Sequence, residues 1–231
     1  MNDIIRKRKS VRKYDLTPLD EETMQKIREF VESLKPLYPQ IKYKVEITTK
    51  TKGLFGIKAP HYFALLSEEC DGAYENIGFI GQQLDLYLSS IGIGTCWLGA
   101  SKPEEKPVGD MQSLICMSFG KPSEPLHREV GDFKRKPLSE ISEGSDSRLE
   151  AARLSPSGMN AQNWYFVAEN GKIHCYRKKA NPLFGFWLNS MACIDMGIAL
   201  CHIAEESENF KFQKQENIPA KKAHVYMGTV S

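Results

Sequence analysis

The sequence is poor in the features that mark several function classes outright. Its 231 residues carry a formal net charge of only +2, so it has no domain-wide basic excess of the kind that neutralises a nucleic-acid backbone. Six cysteines (Cys70, Cys96, Cys116, Cys175, Cys193, Cys201) form no CxxC pair and no short regular spacing. With no secretory signal pattern, they read as reduced thiols of a cytoplasmic protein. His174–Cys175 and Cys201–His202 are the only neighbouring Cys/His pairs, and neither has a second pair at ligand spacing, so no metal site is expected. No run is apolar for the thickness of a bilayer: the most apolar helical stretch, residues 191–204, is too short and holds Asp195 at its centre, which points to a soluble protein with no membrane partner. A dinucleotide GxGxxG is missing too, because GIGTCWLG puts Trp97 at the third glycine position.

What is present is ordinary globular composition, 41% hydrophobic and 26% charged, in a chain long enough to bury one large core or two small ones. Residues 2–9 read as a short helix opening at an Asn cap. Residues 20–34 form a better one, with Met24, Ile27, Val31 and Leu34 on one face and acidic residues in the first turn. Residues 43–48 alternate like a strand, and residues 61–66 are an apolar run suited to a buried strand. Residues 74–90 are a long helix closed by Gly92 and Gly94. Residues 95–98 and 114–117 are short strands. The stretch 120–147, rich in Pro, Gly and Ser, is expected to be a linker or an extended crossing arm.

After Asp146 the order of elements begins again: a helix at 147–154, a hairpin of 164–168 and 172–177 about Asn170–Gly171, a helix at 189–206 and a strand at 224–230. IGFIGQQLDLYL (77–88) aligns with CIDMGIALCHIA (193–204) at Gly81 and Gly197. LICMSFG (114–120) aligns with HVYMGTV (224–230) at Met117 and Met227. A repeat of this length is a duplicated domain rather than a solenoid unit. The halves fall at 1–145 and 146–231.

Four segments carry chemistry together. RKSVRKY (8–14) and FKRKPL (133–138) are clusters of cations, and an arginine fork holds a phosphate through two parallel hydrogen bonds. GIGTCWLG (92–99) runs from a glycine-rich helix end into a strand, and Gly99 and Ala100 leave backbone open to a flat ligand. SPSGMNAQNW (155–164) is a loop of small polar side chains that supplies donors and acceptors to a ring edge. Cations for a phosphate, small residues for a ring face and amides for a ring edge describe a mononucleotide cofactor.

Over nearly its whole length the chain resembles the FMN-dependent nitroreductase family. RKSVRKY resembles that family's RRSxRxF motif, and APHYFALLSEE, the helix at 76–94 and GTCWLG resemble its central strand, helix and strand. KRKPLSEI resembles its arginine-containing motif and SPSGMNAQNW its PSxxNxQPW loop. The resemblance implies an α+β fold with antiparallel-rich sheets flanked by helices. Family members are typically homodimers with two flavins at the interface. Here the PSxxN loop is absent after the first helix, where Lys35–Gln40 stand, and occurs only in the second half; the family proline is replaced by Asn163. The chain is therefore expected to be an internal pseudo-dimer holding one FMN, as a monomer or weak dimer.

By resemblance, Arg8 and Arg135 bind the FMN phosphate, with Lys9 near the phosphate or ribityl chain. Ser10 lies near the ring or ribityl and Arg12 near the ring's N1/O2, where a cation raises the reduction potential. Gly99 and Ala100 lie near N5, and Pro156, Ser157, Gly158, Met159, Asn160 and Gln162 contact the ring from the other half. No protein acid–base residue is nominated. The implied activity is an FMN-dependent NAD(P)H oxidoreductase that reduces nitro compounds, quinones or similar small electron-poor acceptors by a ping-pong hydride mechanism. The alternative is a flavin-binding module with little or no turnover, a reservoir or sensor, and a specialised flavoenzyme of the wider fold stands third.

Overall fold

The structure is a computed structural model that describes residues 2–53, 56–105, 109–179 and 185–231, without the side chains of Asn2, Phe186 and Trp187. The first elements are α1 (Asn2–Ile5) and α2 (Glu21–Ser33). Asp20 caps α2 by accepting from Thr23 N at 2.8 Å, and Met24 and Ile27 face inward, as the 3.6-residue spacing requires. The predicted helix over 2–9 is shorter than expected. After Ile5 the backbone is drawn into isolated bridges, Arg8 to His127, Ser10 to Thr95 and Tyr14 to Pro122, which extend the chain.

Next come β1 (Tyr43–Thr48), β2 (Thr51–Gly53), β3 (His61–Ser67), α3 (Ala73–Ser90), β4 (Gly94–Leu98), β5 (Ser101–Pro103) and β6 (Gln112–Gly120). β1, β3, β6 and β4 form an antiparallel sheet in that order. All seven residues of β3 are buried, so its unbroken apolar run reflects cover on both faces. β2 and β5, not foreseen from the sequence, pair only with each other.

The arm at 120–147 is irregular apart from a 3-10 turn (Val130–Asp132), α4 (Leu138–Ile141) and β7 (Ser142–Glu143). It leads into α5 (Arg148–Leu154), β8 (Trp164–Glu169), β9 (Lys172–Lys178), α6 (Gly185–Glu205), β10 (Phe212–Gln213) and β11 (His224–Val230). Asn170 (φ 51°) and Gly171 (φ 73°) make the β8–β9 hairpin turn. The second sheet has the order β10-β11-β9-β8-β7. Apart from β7, it repeats the first: two strands, a long helix, then two strands, with the second strand beside the fourth. β7 alone is parallel, paired with β8.

α3 and α6 cross between the sheets. A Cβ on Gly197 would stand 2.0 Å from Glu75 O, and one on Gly78 would stand 2.1 Å from Ile194 O. Glycine at these points lets the two backbones approach closely. The cores interlock as well. Ile4, Ile5, Phe79, Leu86, Phe133 and Ile141 pack with the second sheet, while Ile194 and Ile198 of α6 join the core of the first.

This crossing sets a stability test. Gly197→Ala gains about 1 kcal/mol of helix propensity but collides with carbonyl backbone, and overpacking costs about 1–3 kcal/mol or more. Thermal melting is expected to show a net loss of several degrees, whereas Gly92→Ala, where a Cβ meets open space, carries only its left-handed-backbone strain.

Candidate functional site

The segment after α1 lies along the edge of β4. Val11 N donates to Thr95 O at 2.8 Å, and Val11 packs where Gly94 has no side chain. This brings Ser10 and Arg12 onto one side of a cavity of about 500 Å³. Pro156, Ser157, Gly158 and Met159 form another side, and Gly99 lies at the end of β4. One face of α6 closes it: Leu188, Met191, Ala192, Asp195 and Ile198 recur at helical spacing. Segments separated by more than 140 residues in the chain thus share one cavity.

The other predicted site residues lie behind or beside it. Lys9 Nζ is engaged by Glu124 Oε2 (3.3 Å) and Pro125 O (3.2 Å). Ala100, at φ 62°, lines a separate, more polar groove with Tyr38 and Ser101. Asn160 and Gln162 brace the loop. Asn160 Nδ2 donates to Lys134 O (2.8 Å) and its Oδ1 accepts from Arg135 Nη1 (2.6 Å). Gln162 Oε1 accepts from Lys136 N (2.8 Å), and its backbone N donates to Ser157 Oγ (3.0 Å). Met159, Asn160 and Gln162 all have positive φ, a conformation that non-glycine residues hold only when their surroundings enforce it. The arm at 134–136 supplies that enforcement.

Arg8 is fully buried. Its Nε lies 2.7 Å from Asp85 Oδ2, an ion pair by distance, and its Nη2 donates to Ser10 Oγ (3.1 Å). Its Nη1 is buried with no hydrogen-bond partner. Arg128 lies over the Phe133 ring at 3.7 Å and Arg135 beside the same ring at 5.6 Å. Among the described residues, neither has a carboxylate within ion-pair distance. Burial, then the neighbouring arginines, lower Arg128 to about 10 and Arg135 to about 9. Three guanidiniums therefore share one buried carboxylate, and the excess positive charge with an unfilled N–H fits an anion such as a phosphate. Arg128 was not singled out in the sequence, because it sits alone in the irregular arm.

Asp85 anchors a closed network. Its Oδ1 accepts from Thr95 Oγ1, and its Oδ2 accepts from Gln82 Nε2 (2.8 Å). Gln82 Oε1 accepts from Trp97 Nε1 (3.3 Å). His202 Nδ1 lies 2.9 Å from Ala151 O, which can only accept, so Nδ1 carries the proton and Nε2 accepts from Gln82 Nε2 (3.0 Å). Burial pushes His202 down to about 3, consistent with this neutral form.

Asp195 is a second feature that the sequence reading passed over, although a carboxylate in a 14-residue apolar stretch was its signal. It is 4% exposed and Oδ1 accepts from Gly158 N at 2.9 Å. Burial raises it to about 7, against the pull of that hydrogen bond. Among the described residues there is no cluster of His, Cys, Asp or Glu that could hold a metal ion, and no helix is long and apolar enough to cross a membrane.

A family model described as "Putative TM nitroreductase" matches residues 1–207. The chain belongs to that family. Among solved structures it is similar to a "putative nitroreductase" of Thermotoga maritima MSB8, at 21% identity and TM-score 0.66, covering 99% of this chain and 91% of that one. That likeness is one of fold. A nitroreductase family protein of Clostridium difficile 630 matches at 14% identity and TM-score 0.48, over 61% of this chain and 95% of that one. An FMN-dependent nitroreductase of Clostridium difficile R20291 matches at 16% identity and TM-score 0.46, over 58% and 95%. No curated protein matches the sequence.

The His202 network carries a pH signature. An unfolded histidine takes up a proton near 6.5, whereas folded His202 does so only near 3. Stability from this group is therefore present above about pH 6.5 and is lost as pH falls toward 3, by up to several kcal/mol. Urea denaturation is expected to show wild type losing stability relative to His202→Gln across that window.

Proposed function

We propose that the protein is an FMN-dependent NAD(P)H oxidoreductase whose single flavin lies between the two halves of one chain. The observation that carries this reading is the shared cavity, lined by Ser10 and Arg12 from the first half and by Pro156–Met159 from the second. The equal strand order of the two sheets supports a duplicated nitroreductase-like unit, residues 1–145 and 146–231, fused as an internal pseudo-dimer. On that reading β7 is the first half's terminal arm, added in parallel to the second half's sheet. A chain that already buries its own pseudo-dimer interface is expected to be a monomer or weak dimer.

The residues present fit the cofactor. Arg8 Nη1, with no partner, together with Arg128 and Arg135, would hold the phosphate, and Ser10 the adjoining ribityl chain. Gly99 leaves the nearest obstruction to a Cβ at 3.7 Å, on Met191 Sδ, so backbone is open to a ring face. The loop at 156–160 would meet the ring edge, held in shape by Asn160 and Gln162 rather than through ring contacts of their own. Exposed Arg12 would supply positive charge beside the ring, favouring electron acceptance. When bound, FMN supplies hydride transfer from a nicotinamide donor to an electron-poor acceptor. Ile57, Leu188, Met191 and Ile198 give the cavity an apolar lining that suits a flat quinone or nitroaromatic.

Titration of purified protein with FMN, followed by fluorescence quenching, is expected to saturate at one flavin per chain, and NADH or NADPH should then bleach the visible band. Arg135→Ala, which removes one cation and the Asn160 brace, is expected to weaken FMN binding about tenfold or more, the scale of a lost charge-assisted hydrogen bond. A protein that leaves FMN fluorescence unchanged would sink the reading. One that binds FMN but never bleaches would be a reservoir or sensor instead.

A further inference from the structure

Asp195 is an expensive residue in its position. It lies midway along α6, is 4% exposed, and on the described residues has one hydrogen bond, from Gly158 N to Oδ1. Among the described residues no cation pairs with it. A buried carboxylate without a counter-charge is strongly disfavoured unless it takes up a proton. Holding the loop does not require an ionisable group there: in the crossing where Gly78 meets Ile194 O and Gly197 meets Glu75 O, the counterpart of Asp195 on α3 is the amide Asn76, whose Oδ1 likewise accepts from a loop backbone N, that of Tyr38 (3.0 Å). Its side chain lines the cavity. With Oδ1 occupied by Gly158, Oδ2 is the oxygen left for whatever occupies that space.

The charged and titratable groups around it are few. Among the described residues, Arg12 and Cys96 are the others on the cavity wall, and burial raises Cys96 to about 11. On α3, Asp85 is committed to Arg8, and Glu75 lies further along beside Cys193. The loop facing Asp195 contributes Ser157 and Gly158, which do not titrate. Asp195 is therefore the group on this wall whose protonation changes near neutral pH, raised there by its burial.

We infer that Asp195 presents a protonated carboxyl to the cavity and donates its O–H to a carbonyl oxygen at the edge of the flavin ring. This deepens the flavin reading above and rests on it. The carboxyl stands directly beneath the loop that meets the ring edge, and that edge offers carbonyl oxygens as acceptors. An ionised Asp195 could only accept, and it would do so with a charge that burial by the ring disfavours further. Ring binding and proton retention on Asp195 are thus coupled: flavin binds more tightly to the protonated form, so affinity falls as pH rises past about 7.

The test measures FMN affinity of the apo-protein by fluorescence quenching at about pH 6 and about pH 8.5. Wild type is expected to weaken about tenfold or more between the two. Asp195→Asn keeps an acceptor for Gly158 N and donates N–H at every pH. It is expected to lose that slope, leaving only the opposite, shallow trend of the FMN phosphate, which ionises further near pH 6. Asp195→Leu, with no donor, should bind about tenfold more weakly than wild type at the lower pH. A purely structural Asp195 would make the Asn variant melt well below wild type at about pH 8; the inference expects it to be at least as stable there. Wild-type affinity that is flat or tighter at high pH, or an Asn variant with the wild-type slope, overturns the inference alone. Failure of FMN to bind at either pH overturns the flavin reading and this inference with it.

Discussion

The buried pair between Arg8 and Asp85 is the constraint on which the rest of the site depends. A buried ion pair contributes little net stability, because desolvation offsets its Coulombic gain, but removing one member leaves an uncompensated charge and costs about 3–5 kcal/mol. Its value here is positional. Asp85 reaches the N-terminal segment through Arg8, β4 through Thr95, and α6 through Gln82 and His202. One carboxylate thereby fixes the relative placement of the three elements that line the cavity. Arg8 Nε meets Asp85 as an ion pair by distance without a hydrogen bond, and Nη1 has no partner; both lie on the arginine that also holds Ser10.

The second constraint is the crossing of α3 and α6. Without side chains at Gly78 and Gly197, the helices touch through backbone, so the two sheets lie close enough for β4 and the 156–160 loop to face one another. The duplicated order of strands explains why both walls are available within one chain. The loops differ: the one after α2 is Lys35–Gln40 and the one after α5 is SPSGMN, so corresponding places beside the two sheets carry different chemistry.

Much of this was legible in the sequence. The long helices, the buried run at β3 and the Asn170–Gly171 hairpin follow from periodicity and turn chemistry, and these survive tertiary context because each is locally consistent. Ser10, Arg12, Gly99 and Pro156–Met159 were placed by motif and do share a cavity. Lys9, Asn160 and Gln162 show where such reading stops. Their side-chain types suit a ligand, but Glu124 takes the first, and Arg135 and Lys136 engage the other two. Side-chain direction is set by partners far away in the chain, which spacing does not encode. β7 and β10 have two residues each, too few for any periodicity to register. Asp195 was visible only as an interruption of hydrophobicity, and its meaning depends on knowing which face of α6 is open.

The electrostatic balance of the site links these observations. Beyond the effect of burial, Arg8 lies near enough to lower Arg128, and both lie near enough to lower Arg135, and among the described residues the fold offers the three one buried carboxylate. Such repulsion opposes folding unless an anion offsets it, so a phosphate-bearing ligand would stabilise the native state in proportion to its occupancy. Asp195 does not relieve that excess, because its raised pKa keeps much of it neutral at pH 7 and it stands under the loop rather than among the arginines. The site thus pairs a cluster of guanidiniums behind the cavity with a nearly neutral, largely apolar cavity wall that carries Arg12 and the Asp195 carboxyl. A ligand with a dianionic tail and a flat ring bearing carbonyl groups complements both regions at once, and a simple anion complements only one.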